Sequence, residues 1–119
     1  MKNRNLLCRL RTERRAWALT QRELAELLGG RSPTHIARIE AGKRVPTIET
    51  ALACQALFGT PPEILFPNVY TEIEERMMQN IYRFREGLAQ PTSLSTVRKQ
   101  KLLEDARKRA LTRLNTPEL

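Results

Sequence analysis

The chain has 119 residues, a length that suits one domain with a short appendage. Apolar residues make up 40% and aromatic residues only 5%, which favours a helical protein over a β-sandwich or barrel. The 21 basic and 13 acidic residues give a net charge of +8. Such an excess of positive charge indicates a polyanionic partner, most simply nucleic acid.

The sequence argues against several other classes of protein. It has no run of 18 apolar residues, so no membrane-spanning helix is expected, and its basic N-terminus lacks the apolar stretch of a secretion signal. Cys8 and Cys54 lie far apart and His35 is the only histidine, so neither a disulfide framework nor a metal site is indicated. We therefore expect a cytoplasmic, nucleoid-associated protein that uses no cofactor and is not an enzyme.

Charge divides the chain into three parts. Residues 1–58 have a net charge of +6, residues 59–93 of −2 and residues 94–119 of +4. Helix start and stop signals are dense in the first two-thirds of the sequence. We expect a first domain over residues 1–67 and a helical extension over residues 68–119.

The first two helices have different signals. Apolar spacing predicts a first helix over residues 5–17, with Leu6 and Leu10 facing the core. Thr20 and Glu23 have the spacing of a capping box, in which each side chain bonds the other residue's backbone N–H group. This pair predicts the start of the second helix.

Glycines and a favoured cap delimit the third helix. Gly29 and Gly30 end the second helix after two turns. Ser32 is a good N-cap, and Pro33 in the first helical position costs no hydrogen bond. Gly42 is expected to close the helix in the left-handed conformation.

Similar signals predict a fourth and a fifth helix. The fourth begins after Thr47 and ends at Gly59, and Thr60 and Glu63 have the spacing of a second capping box. That box predicts a short fifth helix ending before Pro67. The residues expected on the inner face of the fourth helix are Ile48, Leu52 and Leu57.

Two longer helices are expected after these five, which makes the protein all-α. Residues 71–88 place one apolar stripe along a helix, and residues 95–114 repeat the pattern. The first stripe consists of Ile73, Met77, Ile81, Phe84 and Leu88, and the second of Leu103, Ala106, Ala110 and Leu114.

The second and third helices, separated by a glycine turn, are typical of a helix-turn-helix. The third helix is apolar only on its inner side, at Ile36 and Ile39. Thr34, His35 and Arg38 lie on its other faces, so they could meet base edges in a major groove about 12 Å wide.

Residues 10–66 resemble the Cro/Xre family of phage-repressor-type DNA-binding domains. The resemblance rests on the motifs LRTER at 10–14, LTQRELA at 19–25, IARIEAGKR at 36–44, PT at 46–47 and LFG at 57–59. It implies a five-helix repressor-like domain that binds double-stranded DNA.

The resemblance also implies roles for individual residues. Gln21 would bond a DNA phosphate and Ser32 would lie at the backbone, while Arg14 and Glu40 would pair with each other. The positions that would read bases are Pro33, Thr34 and Arg38, and those that would touch phosphates are Lys43 and Arg44. Arg31 is added as a candidate phosphate contact from its location alone, and His35 is a candidate DNA contact from its place on the third helix.

The sequence departs from the family pattern in two places, and the candidate residues also have alternative roles. The turn before Ser32 is one residue longer than usual, and Pro33 stands where many relatives have an amide or basic side chain. In the alternative interpretation Gln21 only starts its helix, and Arg38 binds a phosphate or a carboxylate near Glu40. The remaining candidates would then be solvated, namely Arg31, Thr34, His35, Lys43 and Arg44.

The sequence predicts a sequence-specific transcription regulator, a repressor that occupies its operator as a homodimer. The stripe on residues 71–88 would join two copies, although it could instead pack within one chain. The basic helix at 95–114 would attract phosphates or simply be solvated. The rival interpretation is a protein-interaction module or antitoxin-like adaptor that binds a partner protein through residues 69–119.

Overall fold

Helices joined by turns make up the described part of the chain, as the composition predicts. The computed structural model describes residues 8–88 and 93–115, and this part contains no strand, so the all-α class is confirmed. In chain order its helices are α1 (Leu10–Ala16), α2 (Gln21–Leu27), α3 (Pro33–Glu40), α4 (Ile48–Phe58), α5 (Pro62–Leu65), α6 (Pro67–Gly87) and α7 (Leu94–Asn115). Over the same residues, none of these helices is both long and apolar enough to cross a membrane.

The chain divides between Glu72 and Ile73, inside α6, into two compact units. The first unit contains α1 to α5 and the start of α6. Arg9 N–H donates to the carbonyl of Leu65 over 2.8 Å, which fastens the start of α1 to α5. The buried core of this unit consists of Leu10, Leu24, Ala25, Ile36, Ile39, Cys54, Leu65 and Phe66.

The start signals of α2 and α3 are confirmed. Thr20 Oγ1 accepts from Glu23 N–H at 3.0 Å, and Glu23 Oε1 accepts from Thr20 N–H at 2.9 Å, which completes the capping box. Ser32 Oγ accepts from His35 N–H at 3.0 Å. Gly29 and Gly30 have φ angles of 90° and 85°, so the turn between the two helices uses the left-handed conformation that glycine adopts without strain.

Helices α1 and α6 begin several residues away from their predicted starts. Cys8 and Arg9 precede α1, which starts at Leu10 rather than at residue 5, because Arg9 N–H is bonded to α5. The predicted inward position of Leu6 lies outside the described residues. Helix α6 begins at Pro67 rather than at residue 71, since proline in the first helical position lacks only an N–H group that would have no intrahelical partner.

The predicted inner face of α4 is wrong. Ile48 is 74% exposed and Leu52 is 52% exposed, whereas Thr50 and Cys54 are buried. Thr47 fixes the start of the helix by accepting from Thr50 N–H at 3.2 Å. Because α4 carries apolar side chains on most of its circumference, hydrophobic periodicity cannot identify the buried side. Leu57, also predicted to face inward, is 41% exposed.

The predicted capping box at Thr60 and Glu63 is also wrong. Helix α5 starts one residue later than that box requires, with Pro61 as its N-cap and no side-chain cap. Thr60 Oγ1 instead donates to Glu13 Oε1 over 3.4 Å. Thr60 therefore joins α1 to the α4–α5 turn instead of starting a helix.

The second unit is an antiparallel helical hairpin. Arg113 Nη2 lies 2.6 Å from Glu74 Oε1, and Arg85 Nη1 lies 3.6 Å from Glu104 Oε2, so residues later in α6 meet residues earlier in α7. Both predicted stripes are only partly buried. Ile81 and Ala110 are buried, and Leu88, Leu103 and Ala106 are half-buried. The exposed stripe residues are Ile73, Met77, Phe84 and Leu114.

Candidate nucleic-acid interface

Helix α3 presents a polar outer surface next to its buried side. Ile36, Ile39 and Glu40 are buried against the rest of the first unit, while Thr34 and Arg38 are exposed. An α-helix that is buried on one side and polar on the other can enter a major groove. The outer surface of α3 is therefore available to a duplex.

The start of α3 carries further candidate contacts. Arg31 and Ser32 are exposed in the turn before the helix, and Pro33 is half-buried in its first position. Ser32 Oγ already accepts a backbone hydrogen bond, but its hydroxyl hydrogen can still be donated. The chain thus offers one cation and one hydroxyl donor where α3 begins.

The Glu40 carboxylate joins three helices. Its side chain is fully buried, and Arg14 donates to it from Nε to Oε2 at 2.6 Å and from Nη2 to Oε1 at 3.1 Å. Gln21 Nε2 donates to Oε1 at 3.1 Å, and Arg11 Nε lies 3.4 Å from the same oxygen. Burial would raise the pKa of Glu40, but the hydrogen bonds from Arg14, Gln21 and Arg11 outweigh burial and hold the pKa below its usual range. Glu40 is therefore ionised and locks α3 onto α1 and α2.

Arg14 also supports the turn between α1 and α2. Its Nη1 donates to the carbonyl of Leu19 at 2.8 Å. Ala18, just before Leu19, has a φ angle of 59°, which is uncommon for a residue other than glycine. The Arg14 side chain thus donates hydrogen bonds both to the strained turn and to the Glu40 carboxylate of α3.

The environment of Gln21 was not evident from the sequence. The structure places its amide against Glu40, where one N–H is donated to the carboxylate. The second N–H and the amide oxygen can still bind other groups. The spacing of Arg11 and Arg14, three residues apart on α1, was the available signal that both could reach one carboxylate.

His35 lies among three arginines. It is half-buried, and its Nε2 is shielded from solvent and has no hydrogen-bond partner in the part of the chain that the structure describes. Burial lowers the pKa of His35, and the charges of Arg44, Arg31 and Arg38 lower it further. His35 is therefore neutral at neutral pH.

Arg38, Lys43 and Arg44 line an open cleft of about 360 Å³. Lys43 N–H donates to the carbonyl of Arg38 at 2.9 Å, which fixes the loop to the end of α3. Gly42 makes this turn possible with a φ angle of 74°, as predicted. Within residues 8–88 and 93–115, these three cations and Arg31 form no salt bridge to a carboxylate. Their charge is therefore available to a polyanion.

Comparisons with known proteins bear on the same part of the chain. Residues 10–65 match a family model described as Helix-turn-helix, and the match contains α1 to α5. A search of curated proteins and a search of solved structures each gave no significant match.

Proposed function

Residues 10–65 belong to the Cro/Xre helix-turn-helix family, whose members bind DNA and regulate transcription, and we propose that this protein is a repressor that binds an operator as a homodimer. The observation that carries the proposal is the outer surface of α3. It is rigidly supported through Glu40, and Arg31, Arg38, Lys43 and Arg44 surround it without carboxylate partners among the described residues.

We assign base recognition to two exposed side chains. Arg38 carries a planar fork that matches the O6 and N7 acceptors of guanine in the major groove. Thr34, one turn earlier, can donate or accept a hydrogen bond at a neighbouring base. Pro33 has no side-chain donor, so it contributes only apolar contact.

A larger set of side chains would bind phosphates and so position the protein on the duplex. Cations that bind phosphate attract every sequence alike and fix the orientation of the protein. Gln21 retains one amide N–H for a phosphate, since Glu40 takes the other. The further phosphate contacts in this proposal are Arg31, Ser32, His35, Lys43 and Arg44.

Residues 68–119 would bring together two copies of the chain. One helix-turn-helix module contacts only about 600–1,000 Å², so useful specificity needs two modules on half-sites about 34 Å apart. Ile73, Met77 and Phe84 lie on one side of α6 and each is about half exposed. Covering such a stripe with a second copy would bury apolar surface and favour the dimer. Repression would follow from occupancy of the operator, in the cytoplasm and without a cofactor.

Selection from random duplex DNA tests this function. The purified protein would be incubated with the pool at about 150 mM salt, and bound fragments would be sequenced. We expect a two-fold symmetric motif whose half-site spacing reports the geometry of the dimer. Binding that depends on salt but not on sequence would contradict the proposal and favour the protein-interaction module.

A further inference from the structure

Two side chains that are at least partly exposed, Arg11 and Gln21, donate to Glu40. Arg11 Nε and Gln21 Nε2 meet the same carboxylate oxygen, Oε1, at 3.4 and 3.1 Å. Arg14 reaches that oxygen too, but its side chain is only 9% exposed, whereas that of Arg11 is 47% exposed. Arg11 and Gln21 thus lie side by side at the surface of a buried ion pair.

The positive charge of Arg11 is not needed to neutralise Glu40. The buried carboxylate of Glu40 is neutralised by Arg14, which bonds both of its oxygens. Arg11 therefore adds a positive charge that the cluster does not need for neutrality. Only its Nε is engaged among the described residues, so its two terminal NH₂ groups can still donate.

We propose that Arg11 and Gln21 together bind one phosphate of the DNA backbone, a contact that rests on the proposed function. An arginine fork matches phosphate oxygens in two parallel hydrogen bonds, and the free amide N–H of Gln21 supplies a third donor. Because Glu40 already holds both side chains, less side-chain entropy is lost when phosphate binds. Glu40 is thus a positioning residue for this contact, which lies on α1 and α2 and not in the cleft of Arg38, Lys43 and Arg44.

Salt dependence of DNA binding tests the proposal. The dissociation constant of the selected duplex would be measured from 50 to 300 mM salt for wild type, Arg11→Gln and Arg15→Gln. Arg15 is the matched control, because it lies one turn later on α1, is exposed and has no ion pair among the described residues. We expect Arg11→Gln to reduce the slope of log K against log salt by about 0.9 and to weaken binding about threefold or more at 150 mM salt. Arg15→Gln should change the slope by less than half as much.

Two further variants make the result decisive. Arg11→Lys keeps the charge and should retain the slope, which separates loss of a phosphate contact from loss of folding. Arg11→Gln combined with Gln21→Ala should cost less than the product of the two single effects, since the residues share one phosphate.

Two results would overturn the shared contact. The first is a salt slope for Arg11→Gln equal to that for Arg15→Gln, and the second is fully independent effects of the Arg11 and Gln21 substitutions on affinity. A failure of the proposed function would look different. In that case selection would recover no symmetric motif, and the wild-type protein would bind every duplex alike or bind none.

Discussion

The guanidinium of Arg14 donates two hydrogen bonds to the carboxylate of Glu40, from Nε to Oε2 at 2.6 Å and from Nη2 to Oε1 at 3.1 Å. Glu40 ends α3, and Arg14 lies on α1. The orientation of the exposed side of α3 therefore depends on an ion pair that solvent scarcely reaches.

Breaking this pair from one side should destabilise the fold. Arg14→Met leaves the Glu40 charge buried with only Arg11 and Gln21, which we expect to cost about 3–5 kcal/mol in urea unfolding. Arg15→Gln, an exposed change on the same helix, should stay within about 0.5 kcal/mol of wild type. Replacing both partners, as in Arg14→Met with Glu40→Leu, should cost less than Arg14→Met alone. If Arg14→Met were as stable as wild type, the ion pair would contribute nothing to stability.

The same carboxylate predicts acid sensitivity. The pKa of Glu40 is lower in the folded chain than the value of about 4.3 for an unfolded one, so the unfolded state binds the proton more readily. Its contribution to stability is therefore complete above about pH 5 and is lost as the pH falls through the folded pKa. Thermal melts between pH 6 and 3 should show a shallower fall for Glu40→Gln than for wild type. If the melting temperatures of the two proteins fell in parallel with pH, Glu40 would not be the origin of the acid sensitivity.

Most local signals in the sequence predicted local structure, whereas the Thr60–Glu63 signal failed and contacts between helices required the structure. Thr20 with Glu23 and Ser32 are confirmed as helix starts because each acts within four residues of chain. The inner face of α4 could not be found, since the exposed Ile48 and Leu52 are more apolar than Thr50, which is buried. The part of the candidate site that was missed, the attachment of Arg11 and Gln21 to Glu40, depends on α1, α2 and α3 being assembled.

Substitutions at Arg38 and Lys43 should separate base recognition from phosphate binding. Arg38→Ala should relax the preference at one operator position, at a cost of about 1–3 kcal/mol on the cognate base. Lys43→Ala should weaken all sequences alike and reduce the salt slope by about 1. Affinities would be measured on the selected operator and on its three single-base variants at each half-site position. Equal losses on every sequence for both substitutions would refute the assignment of Arg38.

The stripe on α6 should control association of the chain. Met77→Glu places a charge amid the half-exposed apolar residues Ile73 and Phe84, and we expect the dimer dissociation constant to rise about tenfold or more. Tyr82→Glu is the control, because Tyr82 is 67% exposed and lies on the opposite side of the helix. Analytical ultracentrifugation would measure both variants beside wild type. Equal dissociation of the two variants, or a wild type that remains monomeric, would exclude the stripe as the interface.

DNA binding should become tighter as the pH falls, through His35. Burial and the charges of Arg44, Arg31 and Arg38 lower the pKa of His35 in the free protein. Phosphates placed among these arginines would offset their positive charge and favour the imidazolium, so binding would take up a proton. Affinity measured from pH 7.5 to 5.5 should therefore increase, by at most about tenfold per pH unit for one proton.

His35→Gln tests this coupling directly because His35 is the only histidine in the chain. The variant keeps a polar side chain without a group that titrates in this range, so its affinity should be flat between pH 5.5 and 7. Thermal melts at each pH would establish that both proteins stay folded over the range. A wild-type affinity that is independent of pH, or a variant that follows the wild-type curve, would place His35 outside the protein–DNA contact.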